Sequence, residues 1–300
     1  MSDEEPRPCP VCASTDESHV LADARLDGGI EEISFAARKI PEHRHLRLVR
    51  CPVCDVAYAS PAPAEQLLLE RYEVADFDAG VEGRYAATTY GRLVDAELPR
   101  LPGRTGALDI GTGDGAFLHE LLDRGFDDVV GIEPSEAPVA GADARVAPHI
   151  RRGAFGPDSA PRGSQSLVTC FQTIEHLADP LGAVSAARDL LRPGGALLIV
   201  CHDRDAAANR LMGHRSPIFD VEHLQLFNRG SVRALLERAG FADVSVTVFR
   251  NRYPLGYWLR LAPLPGAVKR GALERVRDTR LGRVPITLPV GNLVARGRVA

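Results

Sequence analysis

Between residues 107 and 250 the apolar positions fall into short runs separated by stretches with helical spacing. Ala107 to Ile110 is a four-residue apolar strand pattern. It is followed by glycines at 111, 113 and 115, and then by Phe117, Leu118, Leu121 and Leu122 on one helical face. The alternation repeats: strands are predicted at Val129 to Glu133, around His149 to Gly153, at Ser166 to Phe171, at Ala196 to Val200 and at Val244 to Phe249, with a last one at Leu288 to Ala295. Helices are predicted from Pro180 to Leu191 and after the cap residue Asn228. Strands alternating with helices of this length predict an α/β domain with a Rossmann-like sheet of seven strands.

Upstream the pattern changes. Alternating Leu46, Leu48, Val56 and Tyr58 predict a hairpin, Pro61 and Pro63 close it, and Leu67, Leu68, Leu69 and Tyr72 mark a helix. A second helix is expected from about Gly83 to Leu98, lying over the pocket of the larger domain; there Arg84, Tyr85 and Tyr90 either contact a ligand or pack the helix down. The organisation read from this is a small unit over 1–62, a helical linker and pocket cover over 63–105, and the α/β domain over 106–300. Residues 250–284 form an insertion with an apolar start (Tyr253, Tyr257, Trp258) and a basic second half (Arg270, Arg275, Arg277, Arg280, Arg283). A lid, a dimer contact, a membrane-surface element over 253–283 and a plainly packed flap all fit that pattern.

Composition narrows the class. The 300 residues are 45% hydrophobic and 25% charged, with a net charge of −4, which argues against a basic nucleic-acid binder. No apolar run is long enough to span a bilayer, and the N-terminus is acidic and polar, so the expected location is the cytoplasm. Cys9, Cys12, Cys51 and Cys54 form two C-x2-C knuckles, the donor set of a closed tetrahedral zinc site on a ribbon. Four thiolates leave no open position, so such a metal is structural. His43 and His45 are expected to face solvent rather than the metal. Cys170 and Cys201 fall on adjacent central strands and read as small buried residues.

The glycine turn is the candidate ligand cradle. A side chain at Gly111 or Gly113 would hold a ligand off the backbone, and the following helix points its free N–H groups into the turn. The flanking carboxylates Asp109 and Asp114 disfavour a pyrophosphate and suit a cationic, amino-acid-like end, while Glu133 stands where such folds read ribose hydroxyls. Together they describe an adenosine-type ligand.

With these motifs in order, the chain resembles the class I S-adenosylmethionine-dependent methyltransferases from about residue 83 to 249. The resemblance rests on Leu108 to Gly115, Gly131 to Ser135, Phe171 to Leu177, Leu190 to Gly195, and Glu222-His223-Leu224 through Phe241. It implies that Asp109, Gly111, Thr112, Gly113 and Gly115 hold the amino-acid end of S-adenosylmethionine and approach its ribose. It also implies that Glu133, beside Pro134, takes the ribose hydroxyls, that Ala154 and Phe155 flank adenine, and that Phe171 and Gln172 close the pocket.

His223, His176 and His202 fall at the ligand edge of the sheet as candidate general bases, His223 first because it lies in the substrate loop. Related quinone O-methyltransferases carry a Glu-x-x-Glu-His cation site at the position of His176, where this chain has Gln172 instead of the first carboxylate. The activity implied is methylation of a hydroxyl or carbon on a sugar or natural-product intermediate, by a monomer or homodimer. The alternatives are a ribosomal RNA methyltransferase with a zinc ribbon and a non-catalytic S-adenosylmethionine-binding module.

Overall fold

The computed structural model describes residues 6–16, 19–26, 44–74, 80–262, 265–277 and 279–300. Among them the chain forms two sheets. The N-terminal part contributes β1 (His19–Ala22), β2 (Leu48–Arg50) and β3 (Ala57–Ala59), then α1 (Glu65–Glu73) and α2 (Gly80–Glu97). The α/β part follows with β4 (Ala107–Ile110), α3 (Ala116–Asp123), β5 (Val129–Glu133), α4 (Glu136–Ala140), β6 (Ile150–Arg152), β7 (Gln165–Phe171), α5 (Pro180–Leu190) and β8 (Leu191–His202). It ends with α6 (Ala207–Met212), β9 (Gln225–Leu226), α7 (Arg229–Arg238), β10 (Asp243–Pro254), α8 (Leu255–Leu261), α9 (Gly266–Val276) and β11 (Pro285–Arg298).

The large sheet has seven strands in the order β10-β11-β8-β7-β4-β5-β6. Strands β8 to β6 are parallel, and β11 and β10 close the sheet antiparallel. Its centre is buried on both faces: every residue of β4, β5 and β7 is buried, as a sheet covered by helices on both sides requires. From β4 the chain runs outward through β5 and β6 and then returns to β7 on the other flank. The order therefore reverses between β4 and β7, and the crevice beyond their carboxyl ends is where such sheets bind ligands.

The expected small unit is not self-contained. Its sheet runs β1-β2-β3-β9, and β9 comes from the α/β domain, with Ala57 facing Leu226 and Tyr58 facing Gln225. His45 is buried, bridged to Arg25 through the backbone and packed against His214 and Phe219, so the expectation that it faces solvent is corrected; His43 lies outside the described residues. Its imidazole closes the small sheet's core onto the loop after β8.

Two further expectations shift. The helix over the pocket is α1, whereas α2 turns Ala87, Tyr90 and Val94 into the core, with the Tyr90 ring 4.4 Å from Phe171 and 5.6 Å from Phe249. Strands β10 and β11 also run further than their apolar cores suggested, pairing out to Pro254 with Pro285, so the insertion is a pair of helices at the tip of a long hairpin. There Tyr253, Tyr257 and Trp258 pack on one another, and the Trp258 indole donates to the Ile286 carbonyl.

Candidate active site

The β4-to-α3 turn is built by three glycines with positive φ, Gly111, Gly113 and Gly115. At Gly111 an added Cβ would lie 2.4 Å from Thr173 Oγ1, so the position is small to admit a neighbouring loop as well as a ligand. The backbone of the turn leans on β5: the N–H groups of Gly111 and Thr112 both donate to the Ile132 carbonyl. One residue on, Glu133 is buried and both its oxygens accept backbone N–H groups, Oε2 from Gly113 and Oε1 from Ser135, each at 2.9 Å. The carboxylate is thus fixed in orientation while each oxygen keeps a lone pair.

Above the turn opens a cleft of about 520 Å³. Gly111, Gly113, Glu133, Pro134, Ala154, Phe155 and Gln172 line it, so seven of the residues expected for the cofactor share one wall. Asp109, Thr112, Gly115 and Phe171 do not. Asp109 sits beneath the floor, 3% exposed, its Oδ1 accepting from Thr169 Oγ1 at 2.6 Å. Phe171 is packed between Phe117 and Tyr90.

Burial, opposed by the Thr169 bond and reinforced by the charge of Glu133, lifts the Asp109 carboxyl to about 7. The folded protein therefore holds a proton that the unfolded chain releases near pH 4. That contribution to stability is full below about pH 4 and is lost as the pH rises towards 7. Asp109→Asn keeps the shape without the titration. The gain in Tm of the variant over the wild type is expected to widen between pH 5 and pH 8, and calorimetric melts would show it; a gap independent of pH would refute it.

One polar atom at this site is buried with no partner, Gln172 Nε2. Gln172 lines the cleft and has φ +54°, a left-handed conformation uncommon outside glycine, fixed by its N–H donating to Val200 O at 2.7 Å. An orphaned buried donor in a cleft wall is what a polar ligand would satisfy.

At the other end of the cleft the ends of β7 and β8 and the loop before β9 bring the three histidines together. The ring centroids of His176 and His223 are 4.9 Å apart, and those of His202 and His223 are 5.1 Å apart. Only His176 lines the cleft; His223 and His202 stand behind it. His223 Nδ1 donates to Ile218 O at 2.8 Å, which leaves Nε2 as the free base, and His202 Nδ1 lies 2.8 Å from Asn292 Oδ1. Burial and mutual repulsion push His176 well below the usual imidazole range and bring His223 down to about 4. Both are neutral at pH 7.

Three further side chains complete this cluster; the sequence places Glu175 at the cleft and Glu222 in the loop of His223, but it assigns a role to none of the three. Tyr72 of α1 places its hydroxyl 2.8 Å from His176 Nδ1, Glu222 Oε2 is 3.9 Å from the same atom, and Glu175, fully buried, accepts from the His202 N–H. The second Glu175 oxygen has no partner. The adjacency of Glu175-His176 and Glu222-His223 was the available signal, but it takes the fold to bring the two pairs together.

The four cysteines are brought together as the knuckle spacing predicts. Their sulfurs all lie within 4.8 Å of one another, with Cys9 to Cys54 at 3.4 Å and Cys12 to Cys51 at 3.5 Å. A tetrahedral ion with bonds of about 2.3 Å needs sulfur separations of roughly 3.8 Å, so the set fits zinc. The Cys54 thiol holds Cys9 down to about 5, while burial lifts Cys12 to about 11. Cys170 and Cys201, raised by burial and distant in role, are core residues.

The profile of a methyltransferase domain matches residues 83–246, more than half of the chain. The chain belongs to that methyltransferase family. Among curated relatives, a ubiquinone biosynthesis O-methyltransferase of Pseudomonas paraeruginosa is 31% identical over 142 residues, 45% of this chain and 58% of the relative. Another of the same name, from Hahella chejuensis, is 31% identical over 36% of this chain and 48% of the relative. The chain thus spans about half the length of the curated relatives it matches. A solved S-adenosylmethionine-dependent methyltransferase of Archaeoglobus fulgidus superposes with a TM-score of 0.48 at 17% identity, covering 71% of this chain and 94% of that one. Within this methyltransferase the matched region contains the glycine turn, Glu133 and all three histidines, whereas β1 to β3, α1 and the four cysteines precede it. Among the described residues no helix is long and apolar enough to cross a membrane.

Proposed function

We propose that this methyltransferase uses S-adenosylmethionine to methylate a hydroxyl or an acidic carbon of a small molecule. The observation that carries the reading is a single cleft with a ribose-type carboxylate at one end and a histidine with its phenol and carboxylate partners at the other. Glu133 would take the ribose hydroxyls, Ala154 and Phe155 would cover adenine, and Gln172 would give its orphaned amide to the amino-acid end. When bound, S-adenosylmethionine supplies a methyl group on a sulfonium, ready for in-line displacement by the acceptor.

The chain's own work is then to orient the acceptor, exclude water and remove its proton. His176 faces the cleft as a neutral base and is put ahead of His223 for that reason. Tyr72 fixes its ring, and Glu222, 3.9 Å away, offsets the positive charge that His176 acquires on taking the proton. Leu68, Leu69 and Tyr72 of α1 form the apolar cover on the acceptor side. No arginine or lysine lines the cleft among the described residues, while Glu65, Glu133, Asp179 and Glu222 do, which supports a small acceptor over a ribosomal RNA. The insertion contributes nothing to the cleft wall among the described residues, which favours a packed flap, a dimer contact or a membrane-surface role for it over a lid. Cys9, Cys12, Cys51 and Cys54 would hold a structural zinc ion.

The test is transfer of a labelled methyl group from S-adenosylmethionine to a panel of phenols, nucleotide sugars and ribosomal RNA by the metal-analysed protein. Label in a phenol or sugar and one zinc per chain are expected. Label in RNA alone, or no transfer despite S-adenosylhomocysteine binding, would overturn the proposal.

A further inference from the structure

The four-cysteine ribbon is bonded, directly or through β9, to each of the three segments that carry His176, His202 and His223. Its sheet is completed by β9, which begins two residues after His223, and Ala59 N–H donates to the Leu224 carbonyl at 2.7 Å. From β9 the Gln225 amide, fully buried, donates to the carbonyls of Ile174 and Leu177, both at 2.8 Å, and so clamps the loop containing His176 from either side.

At the second knuckle Asp55, with φ +63°, accepts from Arg204 Nη2 at 3.0 Å and from Asn228 Nδ2 at 2.7 Å, and its carbonyl accepts from Arg204 Nη1 at 2.7 Å. Arg204 follows His202 by two residues and its N–H donates to Phe227 O; Asn228 ends the His223 segment and caps α7. Near the first knuckle, the Arg7 guanidinium donates to the Ala178 carbonyl beyond His176. The ribbon thus fastens three segments that are remote from one another along the chain and whose side chains meet at the cleft.

We infer that the four-cysteine ribbon is the scaffold that sets the histidine cluster, with Asp55 as its positioning residue. The consequence for catalysis rests on the proposed role of His176 as the base. The consequence for geometry does not. A ribbon that merely stabilised the fold would need no polar contacts aimed at these three segments. Here the buried or half-buried side chains of Asp55 and Gln225 bond to groups within five residues of each histidine and fix their spacing, and a small displacement of a base costs rate steeply.

Asp55→Asn is the probing variant. Asparagine tolerates the left-handed conformation and keeps the shape, but it loses the charge facing Arg204. With zinc content and S-adenosylhomocysteine affinity within about twofold of wild type, its kcat on the phenol or sugar identified by the panel is expected to fall about tenfold, a change of ~1.4 kcal/mol in barrier. By NMR the ring titrations of His176 and His223 should move by about half a pH unit or more. Combined with His176→Ala, Asp55→Asn should cost no further rate, because the two act through one group.

Unmoved titrations in the folded, zinc-loaded variant would overturn the inference. So would rate losses that multiply in the double variant. If His176→Ala leaves turnover intact while Asp55→Asn moves the titrations, the base assignment fails and the scaffold stands. Should Asp55→Asn fail to load zinc, Arg204→Lys breaks the same contact from outside the ribbon, and the same titrations decide.

Discussion

Replacing His176 by alanine is expected to lower kcat by about 10²- to 10⁴-fold while leaving S-adenosylhomocysteine affinity near that of the wild type, the range for loss of a general base. The wall position of His176, its Tyr72 contact and the nearby Glu222 carboxylate motivate this. His223→Ala should cost less, and its effect on pH dependence has a definite sign. In the wild type His176 is held far below its ordinary range by burial first and by the charges of His223 and His202 next. A base whose pKa is lowered stays deprotonated to more acidic pH, so the rate of the wild type should be flat from about pH 6 to 8 and fail only in acid. Removing His223 removes one repulsion, so the acid limb should move to higher pH. Rate profiles of the two variants check both claims. A larger loss from His223→Ala than from His176→Ala would restore His223 as the base.

Glu133→Ala is the second large effect. The substitution removes the carboxylate proposed to take the ribose hydroxyls and strands the N–H groups of Gly113 and Ser135 that it now satisfies. Each hydrogen bond to a charged group contributes about 1.5–3 kcal/mol, so loss of two ribose contacts and disorder of the turn should weaken S-adenosylhomocysteine binding by roughly a hundredfold or more. Calorimetric titration gives the number directly. Binding within fivefold of wild type would place the ribose elsewhere in the cleft. Glu133→Gln, which keeps the shape but donates where it must accept, should fall between the two.

What was legible in the chain was local chemistry. The placement of the glycine turn and Glu133 at the cleft, and the meeting of the two cysteine knuckles, were readable because each rests on a short local pattern of residue types. The sheet followed because buried strands of four to seven residues alternate with helices. The tyrosines show the limit. Tyr72 and Tyr90 both sit on helices among apolar neighbours, yet one reaches a histidine at the cleft and the other fills the core beside Phe171. Only the direction in which each helix packs separates them. The pairing of β3 with β9 was not readable at all, because a two-residue strand has no period and its partner lies far away in the chain. His45, polar and close in sequence to the second cysteine knuckle, gave no sign of the aromatic partners that bury it.

That pairing also orders events during synthesis. Asp55 and Asn228 are 173 residues apart, an interval of roughly ten to thirty seconds at a translation rate of about 5–20 residues per second. Throughout that interval both knuckles are already made while the strand that completes their sheet has yet to emerge. The proposed zinc ion could therefore be captured early, and the ribbon would wait as a template onto which the histidine segment later zips.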